Sequence, residues 1–344
     1  LLAGGEGLGQ DLVSDFDGDT FSSTTSASFV SNWAIGSTDG GVNEKVTTTF
    51  DWALSTVTSF TGNDSLDVTI KGGSGDQALQ ELDFYGSHGG QVVAKPGDAL
   101  KVDSISYTST VGDYLSYFVG FGVDGSALYN TACAYEGQTN TLDNCGLSGV
   151  GLDMGYGTNF GASIDVGNGI FVSVGYEGQG GTATTSEGLM SNEGTDHYGA
   201  QLAYIQDSWG VSLSASVNEV GITAADGETD YRAINAFYIP SIDGFPSISV
   251  GYEWGDWNGT SFADNEDEHT NYFVGFQFDD LGNGTLGVAV GTKQITFEDV
   301  DAETMWEAYY AYNYADGITI TPLVYVKEES TAGVDDETGI ILKT

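Results

Sequence analysis

Carboxylates dominate the chemistry open to this chain: 344 residues carry 50 Asp and Glu against 8 Lys and Arg, a formal charge of −42, with three His and two Cys. That balance excludes nucleic acid as a partner, because neutralising phosphates needs basic side chains. Enzyme chemistry finds no foothold either. His88, His197 and His269 lie far apart in sequence, and the chain has no Gly-x-Ser-x-Gly elbow, no His-Glu-x-x-His and no phosphate-cradling Gly loop. Paired carboxylates abound, but in so acidic a chain their pairing says little, and the sequence reads as that of a non-enzyme. Cys133 and Cys145 enclose a short segment rich in Asn, Thr and Gly with no His beside it. This predicts a loop disulfide made in an oxidising compartment, contributing about 2–3 kcal/mol by loop closure. No cofactor or metal is expected. Asp15, Asp17 and Asp19, in a Gly- and Asp-rich lead-in over residues 1–20, resemble the start of a calcium loop but lack its later ligands, so Ca²⁺ there is a weak alternative to a solvated linker. What remains for the acids is electrostatic work: fixed around water, they concentrate cations and repel anions.

The elements that position them are strands. In His197–Asn218, Tyr198, Ala200, Leu202 and Tyr204 alternate with His197, Gly199, Gln201 and Ala203. After Asp207-Ser208, Trp209, Val211, Leu213, Ala215 and Val217 alternate with Gly210 and small polar residues. Successive strand side chains point to opposite faces, so this is a tight hairpin with one apolar and one polar face. No run of 18 apolar residues marks a membrane helix, whereas a strand spans with about ten alternating residues. The pattern recurs at 21–36, 45–61, 65–72, 100–110, 114–123, 158–166, 169–177, 197–206, 209–218, 230–239, 246–254, 270–278, 285–292, 304–314, 317–327 and 337–344. Short turns alternate with long connections, notably 73–99, 124–157, 178–196, 219–229, 255–269, 293–303 and 328–336. A closed barrel with short turns on one side and long loops on the other explains that alternation; a sandwich does not. The prediction is an all-β fold, a sixteen-stranded antiparallel transmembrane β-barrel over 21–344, with both chain ends on the short-turn side. Leu79–Tyr85 is left out as a strand, since a seventeenth would break this parity, and 73–99 becomes one large external loop.

Parity also assigns the faces. Leu66, Val68 and Ile70 oppose Asp67, Thr69 and Lys71; Ile248, Val250, Tyr252 and Trp254 oppose Ser247, Ser249, Gly251 and Glu253. The charged residues fall on the small, polar face, as expected where one face lines water and the other lipid. Asp51, Asp67, Lys71, Asp165, Glu177, Glu253, Glu307 and Lys327 are thereby predicted to line the channel. The longest connection, 124–157, is expected to fold inward as a constriction loop stiffened by Cys133–Cys145, bringing Asp124, Glu136, Asp143 and Asp153 to the passage. The only Arg, Arg232, shares parity with Ile234, Ala236 and Tyr238 and belongs outside the lumen, at the rim. Tyr198, Tyr204, Trp209, Tyr252, Trp254, Tyr272, Trp306 and Tyr314 are expected at the two membrane interfaces, where amphipathic rings settle.

Three stretches carry a family resemblance. They are Asp19-Thr-Phe-Ser-Ser-Thr-Thr25; Ser59-Phe-Thr-Gly-Asn-Asp64 followed by Leu66; and a C-terminal set of Phe278-Asp-Asp-Leu-Gly282, Gly287 to Gly291, Glu307-Ala-Tyr-Tyr310 and Ile318-Thr-Ile-Thr-Pro322. In content and order these resemble the barrel of cyanobacterial outer-membrane porins of the carbohydrate-selective porin family. The resemblance implies an outer-membrane, lipid-embedded homotrimer that passes small solutes, tied to peptidoglycan only through an N-terminal S-layer-homology segment not among these residues. The chain departs from the family at Asn63, where a Lys is usual, and at Lys343-Thr344, where an aromatic is usual. Lining charge then decides the solute: six acids against two Lys predict a cation-preferring diffusion channel for small ions and neutral nutrients. The alternatives are a sugar-selective porin and a non-conducting envelope protein.

Overall fold

A computed structural model describes residues 24–344 apart from 42, 76, 83, 85–99, 154–156, 179–187, 191–193, 221–226, 259–267, 294–295, 298–300 and 331–332. Asp15, Asp17, Asp19 and His88 lie outside the described residues. Its strands are β1 (Thr25–Asp39), β2 (Lys45–Thr58), β3 (Asp64–Gly73), β4 (Lys101–Val111), β5 (Leu115–Phe121), β6 (Thr158–Gly167), β7 (Ile170–Gly178), β8 (Asp196–Gln206) and β9 (Trp209–Val220). They continue as β10 (Gly227–Tyr238), β11 (Ser247–Asn258), β12 (Glu268–Phe278), β13 (Gly284–Thr292), β14 (Thr296–Phe297), β15 (Thr304–Ala315), β16 (Ile318–Lys327) and β17 (Glu337–Lys343). The pairing is antiparallel throughout, and β1 closes on β17 from Ala34↔Lys343 to Asp39↔Thr338. Sixteen long strands make the wall; β14 is a two-residue pairing on the outer end of β12. Closure leaves no sheet edge, which is what permits the apolar exterior described next.

The two-residue period sorts the side chains as parity predicts. Leu213, Ile234, Val250, Phe276, Val288 and Ile340 are exposed on the outer face, while Ser212, Ala233, Ser249, Gln277, Ala289 and Ile341 are buried within. Arg232 points outward and pairs with Asp256 at 3.4 Å. Tyr198, Tyr252, Trp254 and Trp306, near the long-loop ends, and Tyr204, Trp209 and Tyr314, near the short-turn ends, are exposed on the outside. The short turns carry the residues their backbones require. Asn168 and Gly169 join β6 to β7 with φ of 57° and 82°, the left-handed pair of a tight hairpin. Asp64 accepts the N–H groups of Phe60 and Thr61 at 2.9 and 2.8 Å, and the Tyr107 hydroxyl at 2.9 Å.

The interior is not simply water. Two connections enter it, one whose described residues are 122–153 and 157 and one whose described part includes the short 3₁₀ segment Gln77–Leu82. Between them and the wall lies an apolar core of Leu79, Leu82, Phe84, Tyr135, Leu142, Phe273, Met305, Leu323 and Tyr325. This corrects the expectation that 73–99 is wholly external. Leu79, Leu82 and Phe84 are too apolar to sit in water, and their burial against inward Ala34, Leu323 and Ile341 draws the segment inside.

Candidate pore constriction

The connection after β5 is bound to the wall through its own backbone. An extended arm leaves alternate N–H groups pointing the same way, and here the wall supplies an acceptor to each. Ala132 donates to Ser212 Oγ (3.0 Å), Ala134 to Ser249 Oγ (2.8 Å) and Glu136 to Gln277 Oε1 (2.9 Å), on β9, β11 and β12 in turn. Asn130 begins the series on Gln201 of β8. It ends on β15, where Glu307 accepts Gln138 N–H (3.2 Å), Thr139 N–H (2.9 Å) and the Tyr135 hydroxyl (2.6 Å). At 139–143 the connection turns, and it runs back along the wall with the Cys133–Cys145 disulfide joining the two arms. Cys145 O accepts Asn235 Nδ2 at 2.9 Å, and Ser148, Gly149 and Val150 direct three consecutive N–H groups onto the Glu253 carboxylate at 3.0–3.1 Å. Successive N–H groups converging on one anion form a nest.

Inward glycines make room for this contact. A Cβ on Gly175 would strike the Gly125 carbonyl oxygen, and one on Gly251 would strike that of Cys145. The dry side of the loop therefore needs both small residues and acceptors on the wall.

These contacts redistribute the acids and bases that parity sends inward. Glu177, Glu253 and Glu307 do face the interior, but each is fully buried beneath the loop, so they anchor backbone rather than line water. Unpaired N–H groups in a low-dielectric layer need strong acceptors, and a carboxylate is the strongest available. Lys327 is likewise withdrawn from the lumen, ion-paired with Glu81 of the 77–82 segment. Asp165 keeps the inward parity of Ser163 but sits exposed at the β6–β7 turn, at the short-turn end of the barrel, where it accepts Gly167 N–H at 2.7 Å. His197 and His269, far apart in sequence, flank the Tyr231 ring at centroid distances of 6.3 and 4.8 Å behind the returning arm. Among the described residues no three His, Cys, Asp or Glu converge as metal ligands.

The wet side of the loop is different. Asp124, Asp143 and Asp153 are exposed to a cavity of about 420 Å³ bordered by Ser126, Thr131, Asn140, Thr141, Asn144 and Lys293. Glu136 is exposed as well. Asp124 reaches lumen water but is cut off from bulk solvent, and it hydrogen-bonds Asp153; enclosure first and the neighbouring carboxyl second push it up to about 7, against a pull from Lys71. Across from the loop stand Asp51, which accepts Asn32 Nδ2 at 2.8 Å, Asp67, and Lys71 paired with Asp103 at 3.0 Å. Lys343 lies within electrostatic reach of Asp51 and Asp143. Asp103 and Lys343 escape the sequence reading: Asp103 is the extra residue of a bulge opposite Thr69 and Ile70, and Lys343 ends its strand on the inward parity it shares with Glu337, Gly339 and Ile341.

Closed by sixteen strands and narrowed by a loop laid along its inner wall, the chain has a porin-like fold. It is similar to Pseudomonas putida OprB (12% identity, TM-score 0.62, covering 92% of this chain and 93% of that one). It is similar also to Salmonella typhi OmpF, solved with daunomycin (11%, 0.59, 93% and 97%), and to a porin refined at 1.8 Å resolution (12%, 0.59, 92% and 99%). At such identities the likeness is one of fold. No family model and no curated protein matches the chain. The narrower resemblance to the carbohydrate-selective porins rests on its sequence motifs.

Proposed function

We propose that the protein is an outer-membrane porin, a passive channel for small hydrophilic solutes and inorganic ions that prefers cations. One observation carries this reading: three loop carboxylates, Asp124, Asp143 and Asp153, face an open interior cavity otherwise bordered mainly by hydroxyls and amides. The only Arg, whose rigid fork suits bound anions, lies outside the barrel. Asp51 and Asp67 add negative charge across from the loop, with Lys71 as a partial counterweight. The apolar outer face and its exposed Tyr and Trp at both ends suit a bilayer, and a homotrimer is what the family resemblance implies. A channel of this kind performs no catalytic step. Purified protein in planar bilayers under a KCl gradient tests the reading: discrete conductance steps with a cation-sided reversal potential are expected, while an anion-sided potential would return a sugar or phosphate channel to first place. Absence of steps would leave an envelope protein.

The raised Asp124 gives the preference a pH dependence. Near pH 6 the Asp124–Asp153 pair keeps a proton and the aperture has one charge fewer; as pH rises through about 7 the proton leaves. Cation preference is therefore expected to strengthen between pH 6 and pH 8, and Asp124→Asn should flatten that titration in the reversal potential.

A further inference from the structure

Glu81 stands where the two inward connections and the wall meet. It is buried, on the 3₁₀ segment Gln77–Leu82, and one of its carboxylate oxygens pairs with Lys327 of β16. The other accepts the Thr141 hydroxyl at 2.9 Å and the Thr141 N–H at 3.3 Å, while the Glu81 carbonyl accepts Asn140 N–H at 2.8 Å. Thr141 belongs to the turn of the constriction loop, the point farthest from the loop's two attachments to the wall strands. Within that turn Leu142 and Asp143 donate back to Thr139 O at 3.2 and 3.1 Å. The next side chain but one after Thr141 is Asp143, one of the acids of the cavity.

Seating the 77–84 segment does not require a charge. Leu79, Leu82 and Phe84 pack into the interior core, and Leu79 lies against Gly36 of β1, where a Cβ would meet its methyl group at 2.9 Å. A buried ion pair costs desolvation that an apolar side chain would avoid, and its attested gain is a unique geometry. Here the geometry adds a directed polar link between elements that otherwise meet through the apolar core and the Asn140–Glu81 backbone hydrogen bond: the connection between β3 and β4, the turn of the connection between β5 and β6, and the wall at β16.

We propose that Glu81 is a positioning residue for the pore, a coupler that locks the turn of the constriction loop to the 77–84 insert and so fixes the aperture and the place of Asp143 in it. The proposal rests on the channel reading above. Removing the coupler frees the turn to move away from β16, widening the passage and letting it fluctuate. The Lys327 side of the carboxylate supports Glu81; the Thr141 side transmits its position to the loop.

The test is single-channel recording of the full-length protein and of Glu81→Ala, Thr141→Val and the double variant Glu81→Gln with Lys327→Met. The largest polyethylene glycol admitted is read alongside conductance, and folding is followed by heat-modifiable mobility in detergent gels. Glu81→Ala is expected to raise mean conductance on the order of 1.5- to 2-fold, add open-channel noise and admit a larger polymer, as a wider lumen should. Thr141→Val, which leaves the wall untouched, should move conductance the same way by less. The double variant removes both charges but keeps a carboxamide oxygen for Thr141, so it should stay at the wild-type conductance and polymer limit. A folded Glu81→Ala with wild-type conductance overturns the proposal. So does a double variant that widens as much as Glu81→Ala, because the charge pair and not the link to Thr141 would then matter. If Glu81→Ala fails to fold, an unchanged Thr141→Val overturns it. A wild-type protein that never conducts sinks the channel reading itself, an outcome separate from these.

Discussion

Neutralising Asp124, Asp143 and Asp153 together, as Asn, is expected at pH 8, above the titration of the Asp124–Asp153 pair, to lower the cation-over-anion permeability ratio on the order of tenfold, read as a shift of the reversal potential in a KCl gradient. The magnitude follows from Coulomb's law. A unit charge about 7 Å from the pore axis in water is worth roughly 0.6 kcal/mol, and screening over a Debye length of about 8 Å trims this to a factor of about two to three per charge in the ratio. The three acids border one cavity, so their factors multiply, and Lys71, Lys293 and Lys343 are left as its counterweights. Position, not the number of acids, carries the effect. Asp165→Asn should leave the ratio unchanged, because that carboxylate is held on Gly167 N–H at a turn. Asp335→Asn with Asp336→Asn should also do little, since these external acids are screened from the passage. A triple variant that keeps the wild-type reversal potential would remove the cation preference from the reading and leave a neutral-solute channel.

The wall was legible in the sequence and the lining was not, for one physical reason. A strand's period of two depends on its own residues and on which side is apolar, so Ile248 to Trp254 fix their faces without reference to anything distant. All sixteen strands fall where the alternation puts them, and Arg232 points outward as its parity requires. Parity cannot tell an inward side chain facing water from one facing a loop. Glu253 and Asp67 have the same local pattern, yet one lies under three N–H groups and the other stays half-buried, with the Ser65 hydroxyl as its donor. The wall's Ser212, Ser249 and Gln277 read only as small polar residues, because their partners are backbone atoms of a connection that sits elsewhere in sequence. The nearest sequence signal was the short run Leu79-Gln-Glu-Leu82 with Phe84. It is apolar enough to demand burial but wrong in parity for a strand, a conflict that the inward 3₁₀ segment resolves.

Removing the anchors should alter size where removing the aperture acids alters charge. Glu253→Ala is expected to raise single-channel conductance about twofold with marked flicker, because the returning arm loses the acceptor of three N–H groups and unmade buried hydrogen bonds cost ~1–3 kcal/mol each. Glu253→Gln should fall between, since a carboxamide offers one oxygen and turns its NH₂ toward donors. Glu307→Ala releases the outgoing arm at Gln138 and Thr139 and orphans the Tyr135 hydroxyl, with a similar result. The two glutamates grip different arms and share no partner, so the double variant should widen the passage more than either alone. The Cys133–Cys145 bridge still holds the arms together, which limits the loop to swinging as a unit and keeps Asp124, near its attachment to β5, at the passage. Polymer size limits should therefore rise while cation preference falls by much less than in the Asp124, Asp143 and Asp153 variant. Equal loss of both in Glu253→Ala would mean that Glu253 acts as a lining charge, against its burial; loss of neither would mean that the loop keeps its place without the nest.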